Sequence, residues 1–131
     1  MPEVEAQGHA RIGGAIEAYR LYGSLFFGAV HRLEELTDPA RPTPKILILS
    51  ITNLINLDTS GLEALENLLT TLRRKHCRLL IAGANGQPLS MMKRGQFIEE
   101  AGEENFFENT AKALDFAVQI LEQKETQFSL L

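Results

Sequence analysis

Apolar runs and helically spaced apolar residues alternate along this chain, and the alternation predicts strands interleaved with helices. "KILILSITNL" at residues 45–54 and "CRLLIAG" at residues 77–83 are apolar without a regular polar position, as parallel strands covered on both faces are. "AIEAYRLYG" at residues 15–23 has the aromatic and branched residues of a third strand. Strands that alternate with helices over this length predict an α/β fold with a mostly parallel sheet.

Three longer segments have the hydrophobic spacing of helices. The first covers residues 24–37 and is expected to end at Asp38-Pro39, because the position before a proline disfavours helical geometry. The second follows residue 58 and repeats leucine at spacings of three and four, which places the leucines on one face. The third follows Asn109, which is expected to cap it, and should bury Leu114, Val118 and Leu121, with Ala111 and Ala117 beside them.

Shorter elements and the chain length complete the predicted architecture. Residues 87–95 and 97–102 each predict a short helix that a glycine closes, and residues 105–109 predict a short strand. A chain of 131 residues is typical of one domain. We expect this domain to span residues 15–123, after a flexible arm or linker at residues 1–14 and before a C-terminal tail at residues 124–131.

Composition and charge narrow the classes of function. The net charge of −4 argues against a nucleic-acid partner, which would require a basic face to neutralise phosphates. The one cysteine, Cys77, excludes an internal disulfide and fits a reducing compartment. No apolar run approaches the ~20 residues that a membrane-spanning helix needs. We therefore expect a soluble chain in the cytoplasm.

The stretch "NLDTSGLEAL" at residues 56–65 places an acid, two hydroxyls and a glycine where a strand turns into a helix. Ser60 and Glu63 have the spacing of a capping box, in which a hydroxyl and a carboxylate satisfy backbone N–H groups at a helix start. Asp58 or Thr59 could be the cap instead, and the sequence does not choose among the three. Capping alone does not require four such residues, so we expect a second role here.

Phosphorylation of a hydroxyl is one such role. Backbone N–H groups and the helix dipole favour a negative charge at a helix N-terminus, which makes Ser60 a candidate phosphorylation site, with Thr59 beside it. The Asp58 carboxylate acts against this role, because it would repel the phosphate unless a metal or the kinase's own groups screened it.

The sequence contains no arrangement of residues that indicates catalysis. A serine nucleophile requires a base and a group that orients the base, and His9, His31 and His76 have no evident acid partner. The P-loop pattern is absent, and no histidines, cysteines or acids have the spacing of metal ligands. We expect a protein that is not an enzyme and that has no catalytic residue, metal or required cofactor.

The turns that follow the two buried strands are expected to lie side by side. The carboxyl ends of parallel strands meet at one end of the sheet, where open α/β sheets bind their ligands and partners. Each turn leads into a helix start with spare N–H donors. The expected interaction and anion-binding surface consists of Asp58, Thr59, Ser60, Gly61, Leu62, Asn85, Gly86 and Gln87.

The order of these motifs resembles the STAS domain over residues 15–122. A strand precedes "GSLFFG" and a helix; a buried strand precedes "DTSGL" and a leucine-rich helix; the buried "LLIAG" strand precedes a short helix ending in "KRG" and then "GEENFFENTAKAL". The STAS family includes the anti-sigma-factor antagonists of bacteria and the cytoplasmic C-terminal domains of SulP (sulfate permease) anion transporters. The resemblance implies a STAS fold, with a small mixed, mostly parallel sheet and about four helices.

Within the family, "GSLFFGAVHRLEEL" and "GEEN" resemble the transporter branch. Ser60 instead resembles the phosphorylated serine of the soluble antagonists, where many transporter domains have threonine. The leading hypothesis is therefore a non-catalytic regulatory and protein-interaction domain of a SulP-type sulfate or anion transporter. The alternative is a free-standing switch like the anti-sigma-factor antagonists, phosphorylated on Ser60 by a serine kinase.

The transporter hypothesis implies particular partners and a location. The 131 residues would be one domain of a longer chain, at the cytoplasmic face of the inner membrane. Partners implied by the resemblance are the transporter membrane domain in the same parent chain, a cytoplasmic regulatory protein or an acyl carrier protein, and a second copy through the parent transporter. Some family members bind a nucleotide, so the resemblance leaves nucleotide binding open.

Overall fold

The computed structural model of the chain describes residues 9–12, 15–25, 38, 40 and 42–130. Five strands in this part of the chain form one sheet in the order β1-β2-β3-β4-β5. β1 runs antiparallel to β2 and the other neighbours are parallel, which confirms the mixed, mostly parallel sheet. The strands are β1 (His9–Ile12), β2 (Ile16–Leu25), β3 (Ile46–Leu57), β4 (Arg78–Ala82) and β5 (Phe106–Phe107).

The described chain also contains four α-helices and one 3-10 turn. The first helix follows β3, the next two follow β4 and the last follows β5, which confirms the predicted alternation. None of these helices is both long and apolar enough to cross a membrane. The helices are α1 (Thr59–Arg74), α2 (Gly86–Arg94), α3 (Phe97–Ala101) and α4 (Thr110–Leu130), and the 3-10 turn is Glu103–Asn105.

Residues 46–51 of β3 and nearly all of β4 are buried on both faces, which explains the apolar sequences of these stretches. In β3, Leu47 and Leu49 belong to a hydrophobic cluster that includes residues of α1, α2 and α3. Ile46 and Ile48, one residue out of phase, belong to a second cluster that α4 covers. Successive side chains of a strand point to opposite faces, so each face of β3 finds its own apolar neighbours and no polar position is needed.

The face of α1 that contacts the sheet is the leucine face predicted from spacing. Full burial of one leucine side chain stabilises a fold by roughly 1.5–3 kcal/mol, so this face is a large part of what attaches α1 to the sheet. The buried residues of α1 are Gly61, Leu62, Ala64, Leu65, Leu68, Leu69 and Leu72.

The buried face of α4 agrees with the prediction in part. Ala117 is fully buried, as predicted, and the two predicted leucines are partly buried against the same cluster. Ala113 is also fully buried, whereas Val118 is 38% exposed and Ala111 is exposed. Small side chains at the point of closest approach let the helix lie against the sheet, which turns Val118 outward. Phe116 fills the space beside them, with its ring centroid 5.1 Å from that of Phe107.

Several elements extend past their predicted ends. Residues 9–12, within the stretch interpreted as an arm, form β1 because they pair with β2 from His9↔Tyr19 to Ile12↔Ile16. β2 continues to Leu25 instead of ending at Gly23, since it stays paired with the end of β3. α4 continues through most of the stretch interpreted as a tail.

Most of the segment predicted as a helix, residues 24–37, lies outside the described part of the chain. Ser24 and Leu25, expected at its start, belong to β2. The remainder, with its predicted apolar face and His31, lies outside the described residues.

Candidate functional site

The turn from β3 into α1 uses the carboxylate, and not a hydroxyl, as its cap. Asp58 has extended backbone angles (φ −95°, ψ −178°), and its Oδ1 accepts a hydrogen bond from the Gly61 N–H at 2.8 Å. The Asp58 carbonyl accepts the first intrahelical bond, from the Leu62 N–H at 2.9 Å. The capping box of Ser60 and Glu63 is therefore wrong, because the helix already begins at Thr59 and Ser60 lies within its first turn.

Removing this cap should weaken the helix start. We expect Asp58→Ala to lower the free energy of unfolding by about 1 kcal/mol, because the Gly61 N–H loses its acceptor. Ser60→Ala, a matched change in the same turn, should alter it by less than about 0.5 kcal/mol. Urea denaturation of both variants measures the difference, and an equal loss in both would contradict the assignment of the cap.

The turn from β4 into α2 packs directly on β3. Gly83 has a positive φ of +78°, a backbone conformation that favours glycine. The Asn85 amide donates to the Gly83 carbonyl at 2.7 Å and to the Thr52 carbonyl at 3.1 Å. Both bonds are donated by Nδ2, and the side chain makes no cap bond to α2, although Asn85 occupies the N-cap position.

Gln87 joins the two turns. Its Oε1 accepts from the Leu57 N–H at 2.7 Å, and its Nε2 donates to the Leu57 carbonyl at 2.8 Å. The residue before the Asp58 cap is thus bonded to the first turn of α2. This contact confirms that the two turns lie side by side at the carboxyl end of the sheet.

The strand-end surface, which we define as residues 58–62 and 85–87, divides into exposed and buried parts. Gly61 and Leu62 are buried and support the turn from inside. Asp58 is half-buried, and the side chains that face solvent are those of Thr59, Ser60, Asn85 and Gln87, with Gly86 beside them.

The chemistry available at this surface is that of hydroxyls and amides. α1 has 16 residues, so His76 beyond its C-terminus lies roughly 24 Å from Ser60 and cannot act as its base. No group of three or more metal-ligating side chains occurs among the described residues. Two exposed hydroxyls at a helix N-terminus suit hydrogen bonding to a partner or addition of a phosphate.

Cys77 is a buried thiol away from this surface. Burial raises its pKa from an ordinary 9.0 to about 11, and the Glu17 carboxylate acts in the same direction. A thiol with this pKa is almost fully protonated at neutral pH, and the thiolate is the reactive form. Cys77 therefore acts as a small apolar residue of the core.

The raised pKa makes a testable contribution to stability. As the pH rises, the unfolded chain loses the Cys77 proton first, so the contribution is complete below about pH 9 and is lost as the pH approaches about 11. We expect the free energy of unfolding of the native chain to fall more steeply over this interval than that of Cys77→Ala. Urea denaturation at about pH 8 and about pH 10.5 tests this, and parallel pH dependence in the two proteins would contradict it.

Two features beside the strand-end surface were not predicted from the sequence. Gly83 packs so closely on Thr52 that a Cβ at position 83 would overlap the Thr52 hydroxyl. Ile55 is a large apolar residue with 73% of its surface exposed. The only hint in the sequence is that "ITNLIN" at residues 51–56 breaks the apolar run before the strand ends.

A family profile described as "STAS domain" matches residues 3–113 of the chain. Among curated proteins, "Putative sulfate transporter YvdB" of Bacillus subtilis is 29% identical over 96 residues, which are 72% of this chain and 18% of that protein. The chain thus spans about a fifth of the length of this relative.

Solved structures match over nearly the whole chain. A sulfate transporter family protein from Wolinella succinogenes is 30% identical, with a TM-score of 0.79 over 86% of this chain and 93% of that one. The STAS domain of a Vibrio cholerae SulP transporter is 25% identical, with a TM-score of 0.75 over 87% and 88%. The unphosphorylated anti-sigma factor antagonist SpoIIAA shares the fold at 19% identity, with a TM-score of 0.65 over 86% and 97%.

Proposed function

The chain belongs to the STAS domain family, and from this premise we propose that it is the non-catalytic regulatory and protein-interaction domain of a SulP-type sulfate or anion transporter. The proposal rests on one observation, which is that the chain is more similar to the transporter-family structures than to the antagonist structure. Two bacterial transporter-family structures match at 25–30% identity, and the antagonist SpoIIAA matches at 19% with a lower TM-score.

The parent chain and its location follow from the same proposal. The Bacillus subtilis relative is more than five times longer than the segment matched here, which supports a membrane domain in the same parent chain. The domain would then lie at the cytoplasmic face of the inner membrane, with a second copy brought near by dimerisation of the parent transporter. A cytoplasmic regulatory protein or an acyl carrier protein would reach it from the cytoplasm.

The strand-end surface is the part of the domain that we assign to regulation. Its exposed hydroxyls and amides are held on a rigid frame, because Asp58 caps α1 and Gln87 links that turn to α2. A contact there could be made or lost without disturbing the core, since Thr59 and Ser60 face solvent. This separation of contact residues from core residues suits a docking surface.

Uptake of labelled sulfate tests the regulatory role in cells that produce the parent transporter. We expect Thr59→Arg combined with Ser60→Arg to change uptake about tenfold, because the two side chains would block the surface, while the amount of protein in the membrane stays the same. Thr70→Arg, a change at another exposed hydroxyl of α1, is the matched control. Equal uptake in all three strains would contradict the proposal.

A second candidate function is the free-standing switch, favoured by the exposure of Ser60 in the first turn of α1. Phosphate would gain from the helix dipole there, although Asp58 would repel it. Incubation with labelled ATP and a kinase-containing extract of the host cytosol tests this function. Label on a free chain that Ser60→Ala abolishes and Thr70→Ala retains would favour the switch over the transporter domain; no label on Ser60 would remove it.

A further inference from the structure

β3 extends well past the end of its neighbour β4. Its last pair with β4 is Ser50↔Ala82, whereas its pairing with β2 continues to Leu25↔Leu57. Among the described residues, the end of β3 from Ile51 to Leu57 therefore has a strand on one edge only. An open strand edge presents N–H and C=O groups to which another extended chain can pair.

The register between β2 and β3 shifts twice along this extension. Tyr22 pairs with Asn53 and Gly23 with Leu54, but Ser24 pairs with Asn56, so Ile55 is left as an extra residue in β3. A bulge of this kind turns a side chain away from its regular direction. Ile55 is 73% exposed and lies on the face of the strand opposite the buried Leu54, since successive side chains of a strand alternate between the two faces.

Side-chain amides occupy the two ends of the open edge. The Asn85 amide donates to the Thr52 carbonyl, and the Gln87 amide bonds to both the N–H and the C=O of Leu57. Each amide takes the place that a peptide group of a neighbouring strand would have. Residues 53–56 lie between these two contacts, which leaves a short edge of defined length.

A groove of about 420 Å³ lies along this edge, between the end of β3 and the start of α2. None of its lining residues carries a charge, so an ionised side chain that entered it would lose water without gaining a partner, which is costly. The exposed apolar side chain in the lining is that of Ile55. The lining residues are Thr52, Asn53, Leu54, Ile55, Asn85, Gly86, Gln87 and Pro88.

We propose that residues 53–56 of β3 bind an extended, uncharged peptide segment of a partner protein, which adds to the sheet as a strand and packs an apolar side chain on Ile55. Main-chain hydrogen bonds give affinity in this mode of recognition, and side-chain pockets give specificity. The inference rests on the protein-interaction role proposed above and names the chemistry of the partner. Its failure would leave the sulfate-uptake test untouched, because neither Thr59 nor Ser60 lines the groove.

The test selects peptides from a phage-displayed library of random sequences of about eight residues, long enough to span the edge at ~3.3 Å per residue. The full chain is the bait, and Ile55→Asp is the counter-bait. We expect enriched peptides with apolar residues at alternate positions. Their affinity should fall about tenfold or more with Ile55→Asp, which removes one apolar contact. Binding should also slow hydrogen exchange at those amides of residues 53–56 that face the open edge.

Two controls distinguish pairing of the peptide with β3 from non-specific hydrophobic binding. Val118→Asp alters the other exposed large apolar residue of the described chain and should leave peptide affinity unchanged. Two versions of the selected peptide are N-methylated, one at the odd-numbered amides and one at the even-numbered amides. One version should lose binding and the other should keep it, because a strand pairs through alternate residues. Peptides that bind Ile55→Asp as well as the native chain, or failure to enrich any peptide, would overturn the inference.

Discussion

Replacement of Gly83 by alanine should lower the free energy of unfolding by about 3 kcal/mol. The residue has φ +78°, where a side chain costs about 1 kcal/mol, and overpacking adds roughly 1–3 kcal/mol. The new Cβ would overlap the Thr52 hydroxyl and lie 2.9 Å from the Thr52 Cβ, so backbone must move. For a domain of this size the midpoint of thermal unfolding should fall by about 10 °C.

Two further variants isolate the steric part of this loss. Gly23→Ala places a Cβ at φ +66° with no atom within 4 Å, so it should show the conformational cost of about 1 kcal/mol alone. Thr52→Gly combined with Gly83→Ala should recover most of the steric cost, because the two Thr52 side-chain atoms nearest the new Cβ are removed. A loss in Gly83→Ala no larger than that in Gly23→Ala would contradict the close packing of β3 on the turn after β4.

Replacement of Phe97 by alanine should lower the free energy of unfolding by about 4 kcal/mol, the usual cost of emptying a fully buried aromatic site. Phe97 is completely buried at the start of α3, and its ring meets that of Phe106 edge to face at 6.4 Å between centroids. It belongs to the cluster shared by α1, α2 and the sheet. The change should therefore loosen α2 and the Gln87 link to Leu57.

Chemical denaturation with matched variants measures this effect. Phe97→Leu keeps most of the volume and should cost less than about 1.5 kcal/mol. Val118→Ala shortens an exposed side chain and should cost less than about 0.5 kcal/mol. Similar losses in Phe97→Ala and Val118→Ala would mean that Phe97 is not the buried centre of this cluster.

The sequence predicted the parts of the fold that depend on burial along a single element. The apolar runs of β3 and β4 indicated strands covered on both faces, and the structure places clusters on each side. The leucine spacing of α1 indicated its buried face for the same reason. Asn109 was also predicted correctly as the cap of α4, where its Oδ1 accepts from the Lys112 N–H at 2.9 Å.

The parts that depend on contacts between elements could not be predicted. Nothing local indicates that β3 would run beyond β4 or that Ile55 would form a bulge, because both follow from the length and register of β2. The burial of Ala113 in place of Val118 on α4 depends on how closely the helix approaches the sheet, which favours a small residue. The identity of the α1 cap depends on where β3 ends. Because the sequence does not show that end, it could not choose among Asp58, Thr59 and Ser60.

The proximity of the two turns was predicted, whereas the contacts between them were not. Parallel strands require the turns after β3 and β4 to lie at the same end of the sheet, and the Gln87 contact with Leu57 follows from that geometry. The use of Asn85 to bind β3 instead of capping α2 has no signature in the sequence. The role of the strand-end surface in binding stays a prediction.

Fractionation of the native host tests most directly our proposal that this chain is a domain of a transporter. An antibody raised against the domain is used to blot the membrane pellet and the soluble fraction. We expect a band much heavier than 14.6 kDa in the membrane pellet. A single band near 14.6 kDa in the soluble fraction would show that the chain is not part of a transporter and would make phosphorylation of Ser60 the leading mechanism.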